Sequence, residues 1–253
     1  MNNELKPKLI TLADTYEVSS FADSDPSQFL RWYKKAADVE VSSFIAAMLA
    51  FGNRTQFIPK IQQILQAADN ASGSITIWLT TGTYKKNFPK GPQKFYRFYS
   101  YDDMQSFFEE LATILNSSKS LGQYFKTLWQ SQAATQPSSL LADLISQSFP
   151  KSRIVPKGKS SANKRIHMFL RWMVRTGSPV DLGLWKWYPA ADLLIPLDVH
   201  VMQEAQKLGL LPKNATASRK TALLLTKQME QIFPGDPCRA DYALFGLGVN
   251  PIN

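Results

Sequence analysis

One cysteine, two histidines and no long apolar run set the first limits on this 253-residue chain. A lone thiol, Cys238, cannot form an internal disulfide, and it excludes any four-cysteine zinc or iron-sulfur site. Two histidines leave little else to ligate a transition metal, so no metal is expected; no organic cofactor is expected either. No uninterrupted apolar stretch approaches the roughly 18 to 20 residues of a membrane-crossing helix, and mean hydropathy is −0.21. The opening segment MNNELKPKLITLADTYEV has no apolar stretch ending in a cleavage site, so a cytoplasmic location and no membrane partner are expected. Strand signals are weak as well: only GSITIWLTT reads as extended.

What is present describes a globular protein, 44% hydrophobic and 19% charged, long enough to bury a sizeable core as one large or two small domains. Its net charge of +9 favours a polyanionic partner. The distribution is more informative than the sum. From Lys151 to Arg175 the chain carries eight basic residues (Lys151, Arg153, Lys157, Lys159, Lys164, Arg165, Arg171, Arg175) and no acidic one. A basic face beside a helix start suits phosphate, because Lys and Arg contacts release condensed counterions. A solvated helix face with a basic loop is the alternative.

Most segments have helical periodicity. VSSFIAAMLAFGN reads as a buried helix. In RTQFIPKIQQILQAAD one apolar stripe runs through Phe57, Ile58, Ile61, Ile64 and Leu65. Asp102 and Asp103 open YDDMQSFFEELATILNSS, where the helix dipole favours carboxylates. Shorter helices are predicted at SLGQYFKTLWQS and at SSLLADLISQSF, the latter capped by Ser138 or Ser139. The polar stretch PKSRIVPKGKSSANK interrupts the pattern and leads into KRIHMFLRWMVR, with Ile166, Phe169, Leu170 and Met173 as its apolar face. In LLIPLDVHVMQEAQKLGLL, Pro196 closes one segment and Asp198 begins the next helix. SRKTALLLTKQMEQIF and DPCRADYALFGLG supply the last two helices.

Three of these strings carry a resemblance. IPLDVHVMQEAQKLGL resembles the region around the catalytic aspartate of helix-hairpin-helix DNA glycosylases, where an apolar-Pro-apolar-Asp-x-His/Tyr-apolar pattern enters a helix, and Asp198 falls on that aspartate. SANKRIHMFLRWMVR is similar to the helix that carries the nucleophilic lysine in the archaeal 8-oxoguanine glycosylase branch, with Lys164 at the matching position. The 34-residue interval from Lys164 to Asp198 suits that branch better than the others, where it is shorter. DYALFGLG resembles the helix whose Gln and Phe contact a flipped base, matched here by Asp241 and Phe245. The likeness covers mainly residues 155 to 248. A second likeness, carried by AAMLAFGNR, KRIHMFLRWMVR and RADYALFGLG, spans nearly the full chain and is to a bacterial family of conserved hypothetical proteins of the DUF2400 type.

The glycosylase likeness implies an all-α, helix-hairpin-helix glycosylase-like fold, with residues 1–253 forming a single bilobed unit of two helical lobes and a DNA cleft between them. It further implies base-excision chemistry on double-stranded DNA containing a damaged base, an oxidised purine for the 8-oxoguanine branch, with no obligate protein partner and association with the bacterial nucleoid. The usual hairpin, LPGVGxKTA, lets glycine amides approach a phosphate. Here the matching stretch is IVPKGKSSANK, in which side chains of Lys157, Lys159 and Ser160 around Gly158 take over that role. Lys159 matches the lysine placement of the other branches better than Lys164 does, so both stay candidates. A non-catalytic nucleic-acid binder on the same scaffold is the alternative function, and a helical interaction domain with a merely solubilising basic run is a third.

The chemistry asks for specific groups. A glycosylase extrudes its nucleotide and must stabilise positive charge as the base leaves. Asp198, favoured as an anion by a helix start, can face an oxocarbenium-like sugar; an ordinary N-cap is the competing role. A lysine attacks the sugar only when its amine is neutral, a form that cationic neighbours such as Arg165 promote, and the resulting Schiff base permits strand cleavage. Phe245 and Trp172 are candidate stacking partners for an extruded base or else core residues. Asp241 is a candidate acceptor for a base edge or a partner of Arg239. Asn53 and Arg54 stand where the glycosylases place polar residues near the opened duplex. His200 either orients Asp198, touches a phosphate or is structural.

Overall fold

The computed structural model describes residues 4–133 and 140–249. In chain order the helices are α1 (Leu5–Tyr16), α2 (Ala36–Leu49), α3 (Arg54–Ser72), α4 (Ile75–Thr80), α5 (Tyr84–Asn87), α6 (Tyr101–Ser117), α7 (Leu121–Ala133) and α8 (Leu141–Gln147). They continue as α9 (Lys164–Val174), α10 (Val199–Lys207), α11 (Arg219–Glu230) and α12 (Ala240–Val249). A two-stranded antiparallel hairpin, β1 (Lys94–Tyr96) and β2 (Tyr99–Ser100), lies between α5 and α6. The architecture is predominantly helical. It divides into two compact units, Ser24–Lys157 and a discontinuous one made of Met1–Asp23 with Gly158–Asn253.

The Ser24–Lys157 unit is built around α2, buried from Asp38 to Leu49. Burying that many backbone-helix positions leaves two carboxylates inside, and each answers unpaired amides at another helix start. Asp38 Oδ1 accepts from Ser74 Oγ at 2.7 Å and from the Thr76 amide at 2.9 Å, fixing the first turn of α4. Glu40 Oε2 accepts from the Gly122 amide at 2.9 Å in the first turn of α7. A third carboxylate, Glu110 of α6, accepts from the amides of Lys151 and Ser152 at 2.7 and 2.9 Å. Helix α6 opens with a capping box between Ser100 and Asp103, so the acidic start of YDDM falls in its first turn. The stripe on α3 faces inward through Phe57, Ile61, Ile64 and Leu65.

One expectation fails here. GSITIWLTT is not extended: Ser74 caps α4 by accepting from the Ile77 amide at 3.2 Å, and Ile75, Trp78 and Leu79 are buried on one helical face. The strand propensity of Ile75, Thr76 and Ile77 is outweighed by the Ser74 cap and by Asp38, which holds the first turn. The proposed caps Ser138 and Ser139 lie outside the described residues.

In the discontinuous unit α12 packs against both α1 and α10. Its two glycines allow this. A Cβ at Gly246 would come within 2.2 Å of the Tyr16 ring on α1, and one at Gly248 would sit 3.3 Å from His200 Cβ and Glu204 Cγ on α10. Gly246→Ala is therefore expected to destabilise the protein by about 1–3 kcal/mol, despite a helix-propensity gain of roughly 1 kcal/mol. Urea denaturation followed by tryptophan fluorescence checks this. An unchanged midpoint would mean that Tyr16 moves aside freely.

Candidate functional site

Three helices of the discontinuous unit bring the catalytic candidates together. Lys164 is the first residue of α9, and Asp198 is the N-cap of α10, accepting from the Val201 amide at 2.9 Å. The segment IPLD puts Asp198 there because Pro196 cannot continue a helix and a short acceptor side chain starts the next one. Lys164 Nζ lies 3.0 Å from Asp198 Oδ2, with the two side chains 29% and 18% exposed. The pair is thus partly enclosed and still reachable. Lys164 Nζ is also 5.6 Å from the centroid of Phe245 on α12, and the His200 ring meets Phe245 edge-on at 6.5 Å. The Phe21 ring lies 6.1 Å from Phe245, also edge-on.

Asp241 stands one helical turn before Phe245, on the same face of α12. It is buried and pairs with Nη1 of Arg171. Burial pushes its carboxyl up to about 6; Arg171 and Lys164 oppose that rise, and Asp198 adds to it. Arg171 in turn extends Nε to Asp181 Oδ1 at 3.3 Å and lies over the Tyr242 ring at 4.3 Å. The Tyr242 hydroxyl donates to Asp181 Oδ1 at 2.8 Å.

The network continues to Arg175, which pairs with Asp181, with Glu17 Oε1 at 2.8 Å and, through both Nε and Nη2, with Asp236 at 2.7 and 2.8 Å. Burial raises the Glu17 carboxyl, yet Arg175 and Arg239 outweigh it and hold the group low. Arg239 pairs with Glu17 Oε2 at 2.8 Å and with Asp14, so the ion pair considered for it with Asp241 is replaced by these two.

The basic run is therefore not one phosphate-facing surface. Arg171 and Arg175 are 3% and 2% exposed and neutralised inside the unit. In the other unit, the Lys157 ammonium donates to the carbonyls of Ser146 and Phe149 at the end of α8, where helix carbonyls are unpaired. Burial draws its amine down. Lys159 and Ser160 are exposed and Arg165 is half-buried. Gly158 takes φ +97, but the loop after it is organised by side chains and by α11 rather than by a glycine nest. Asn163 Nδ2 donates to the Gly158 carbonyl at 3.0 Å, Ser161 bridges to Ser218, and the Arg219 amide donates to the Ser160 carbonyl at 2.8 Å.

Two other candidates sit elsewhere. Trp172 is fully enclosed, so it is a core residue and cannot stack on an extruded base. Asn53 and Arg54 belong to the Ser24–Lys157 unit, where Asn53 caps α3 and Arg54 pairs with Asp25 at 3.4 Å. Sequence reasoning missed the enclosed partners Asp181 and Tyr242 and the half-exposed Asp236. The available signal was the spacing of Lys164, Arg171 and Arg175, which recur near one face of α9. Among the described residues no group of three His, Cys, Asp or Glu side chains is placed to hold a metal ion. None of the described helices is long and apolar enough to cross a membrane.

The family model described as protein of unknown function DUF2400 matches residues 25–250. The chain belongs to this family. No curated protein and no solved structure matches it significantly. The family match takes in Lys164, Asp198, Asp241 and Phe245, so the cluster lies within the region its members share.

Proposed function

We propose that this DUF2400 protein is a DNA base-excision glycosylase with AP-lyase activity, acting on a damaged base in double-stranded DNA, an oxidised purine being the class its resemblance favours. The observation that carries the proposal is the 3.0 Å pairing of Lys164 Nζ with Asp198 Oδ2 at the starts of two helices, beside Phe245.

The pairing suits the two demands of the reaction. A lysine must surrender a proton before it can attack C1′ of the deoxyribose, and Asp198 Oδ2 is within direct transfer distance. As the C1′–N bond breaks, its electron pair leaves with the base, which takes the proton that Asp198 accepted, and the restored Asp198 carboxylate faces the developing positive charge on the sugar. Nζ, now a secondary ammonium, passes one proton to O4′ as the C1′–O4′ bond breaks, and its freed electron pair forms the C=N bond of a protonated Schiff base. Loss of a C2′ proton expels the 3′ phosphate. Phe245 offers its ring to the extruded base, while Asp241, one turn away, is buried and held by Arg171.

The side-chain organisation of the Gly158–Asn163 loop supports a second reading, a nucleic-acid binder without turnover, because the backbone nest that holds a DNA phosphate in glycosylases is missing from it. Borohydride trapping on duplexes with single lesions separates the two. Wild type is expected to give a covalent adduct, Lys164→Gln none, Lys159→Gln a normal one, and Asp198→Asn a yield reduced by about 100-fold or more. Salt-sensitive binding without adduct or released base on any duplex would leave only the binder.

A further inference from the structure

The β1–β2 hairpin of the Ser24–Lys157 unit has an unusual tip. Its register pairs Tyr96 with Tyr99, which leaves Arg97 and Phe98 as a two-residue turn. Such turns need positive φ at the first central residue and normally take glycine, asparagine or aspartate. Arg97 adopts φ +51, a conformation that Cβ sterics disfavour by roughly 1–2 kcal/mol. Phe98 beside it is 56% exposed, the highest value for a large hydrophobic side chain among the described residues. The tip thus keeps a cation and an aromatic ring where a turn would be more stable with a small residue. Such a local cost is typical of a functional position.

The ring is held firmly from behind. Phe98 meets Tyr99 edge-on at 4.6 Å and Phe51 at 5.4 Å, and the buried Tyr96 donates its hydroxyl to the Phe51 carbonyl. The Arg97 guanidinium lies 5.8 Å from the Phe51 centroid and so close to the Gly52 backbone that a Cβ there would come within 2.4 Å of Nη1. Asn53, exposed, follows Gly52 directly in the chain. Asn53 caps α3, whose 19 residues direct a positive dipole end to this side. The acidic residue beside Arg54, Asp25, is buried and already paired.

A projecting aromatic ring on a rigid base, with the Arg97 cation beside it and the start of α3 next to Gly52, matches a base stack flanked by phosphates better than it matches an apolar protein groove. We propose that Phe98 is a wedge that enters the DNA base stack, with Arg97 on the neighbouring phosphate. Apolar side chains inserted between base steps unstack them and kink the duplex, which is what exposing a nucleotide requires. The inference rests on the DNA reading above and adds the element that opens the duplex.

The test uses the full chain and a duplex carrying one tetrahydrofuran abasic analogue next to 2-aminopurine, whose fluorescence rises on unstacking. At saturating protein, wild type is expected to raise the signal. Phe98→Ala should lose the rise and bind about 10-fold more weakly, Phe98→Trp should keep both, and all three proteins should melt at the same temperature. A full rise with Phe98→Ala, or salt-sensitive wild-type binding with no rise, overturns the wedge and leaves the glycosylase reading standing. A wild type that binds no duplex removes both. Loss of self-association in Phe98→Ala with unchanged DNA binding would make the tip a protein contact and likewise overturn the wedge.

Discussion

Arg171→Leu is expected to cost the protein about 3–5 kcal/mol of stability, because it leaves two enclosed carboxylates without their shared cation. Asp181 and Asp241 are 4% and 5% exposed, and Arg171 contacts both. Arg175 still neutralises Asp181, so the uncompensated charge falls mainly on Asp241, whose carboxyl burial already raises to about 6. The double variant Arg171→Leu/Asp241→Leu should recover a large part of the loss, since exchanging a whole buried pair for apolar groups is often near neutral. Urea denaturation monitored through the buried Trp172 and Trp185 measures both values. Equal midpoints for wild type and Arg171→Leu would show that water reaches the network and solvates Asp241.

The second large effect concerns pH. His167 on α9 is buried, its Nδ1 has no hydrogen-bond partner among the described residues, and burial, reinforced by nearby Arg219, lowers its imidazole from 6.5 to about 4. The folded state therefore holds the neutral ring while the unfolded chain takes up a proton below about 6.5. A depressed folded value means that the contribution is fully present above pH 6.5 and is lost as pH falls toward 4. Over that window the folded state should lose roughly 3 kcal/mol from this residue. Stability profiles from pH 7.5 to 4.5 for wild type and His167→Gln test the claim through their difference, since other carboxylates titrate in both. Parallel profiles would show that His167 is solvated in the folded protein.

Much of the helical framework is legible in the sequence, and the reasons are local. Caps such as Asn53, Ser100, Asp198 and Ser218 accept from amides two or three residues on, an interaction that needs no tertiary partner. The apolar stripe of α3 follows from the 3.6-residue period alone. Where the expectation went astray, at GSITIWLTT, the deciding contact was Asp38, more than thirty residues upstream. Local propensity gave way to a distant acceptor.

The candidate site divides in the same way. Lys164, Asp198, Asp241 and Phe245 are residue types whose patterns point to chemistry, and the sequence by itself determined their identities and their places at helix starts or along one helix face. Only the tertiary structure decided that Lys164 and Asp198 come within 3.0 Å, that Trp172 is core, and that Arg171 and Arg175 are interior counter-ions and not surface cations. Charge is a property of a residue, but whether it faces solvent, phosphate or an enclosed carboxylate depends on what packs against its helix. That packing joins α1, α9, α10 and α12 across more than two hundred residues of chain, a distance over which no local pattern carries information.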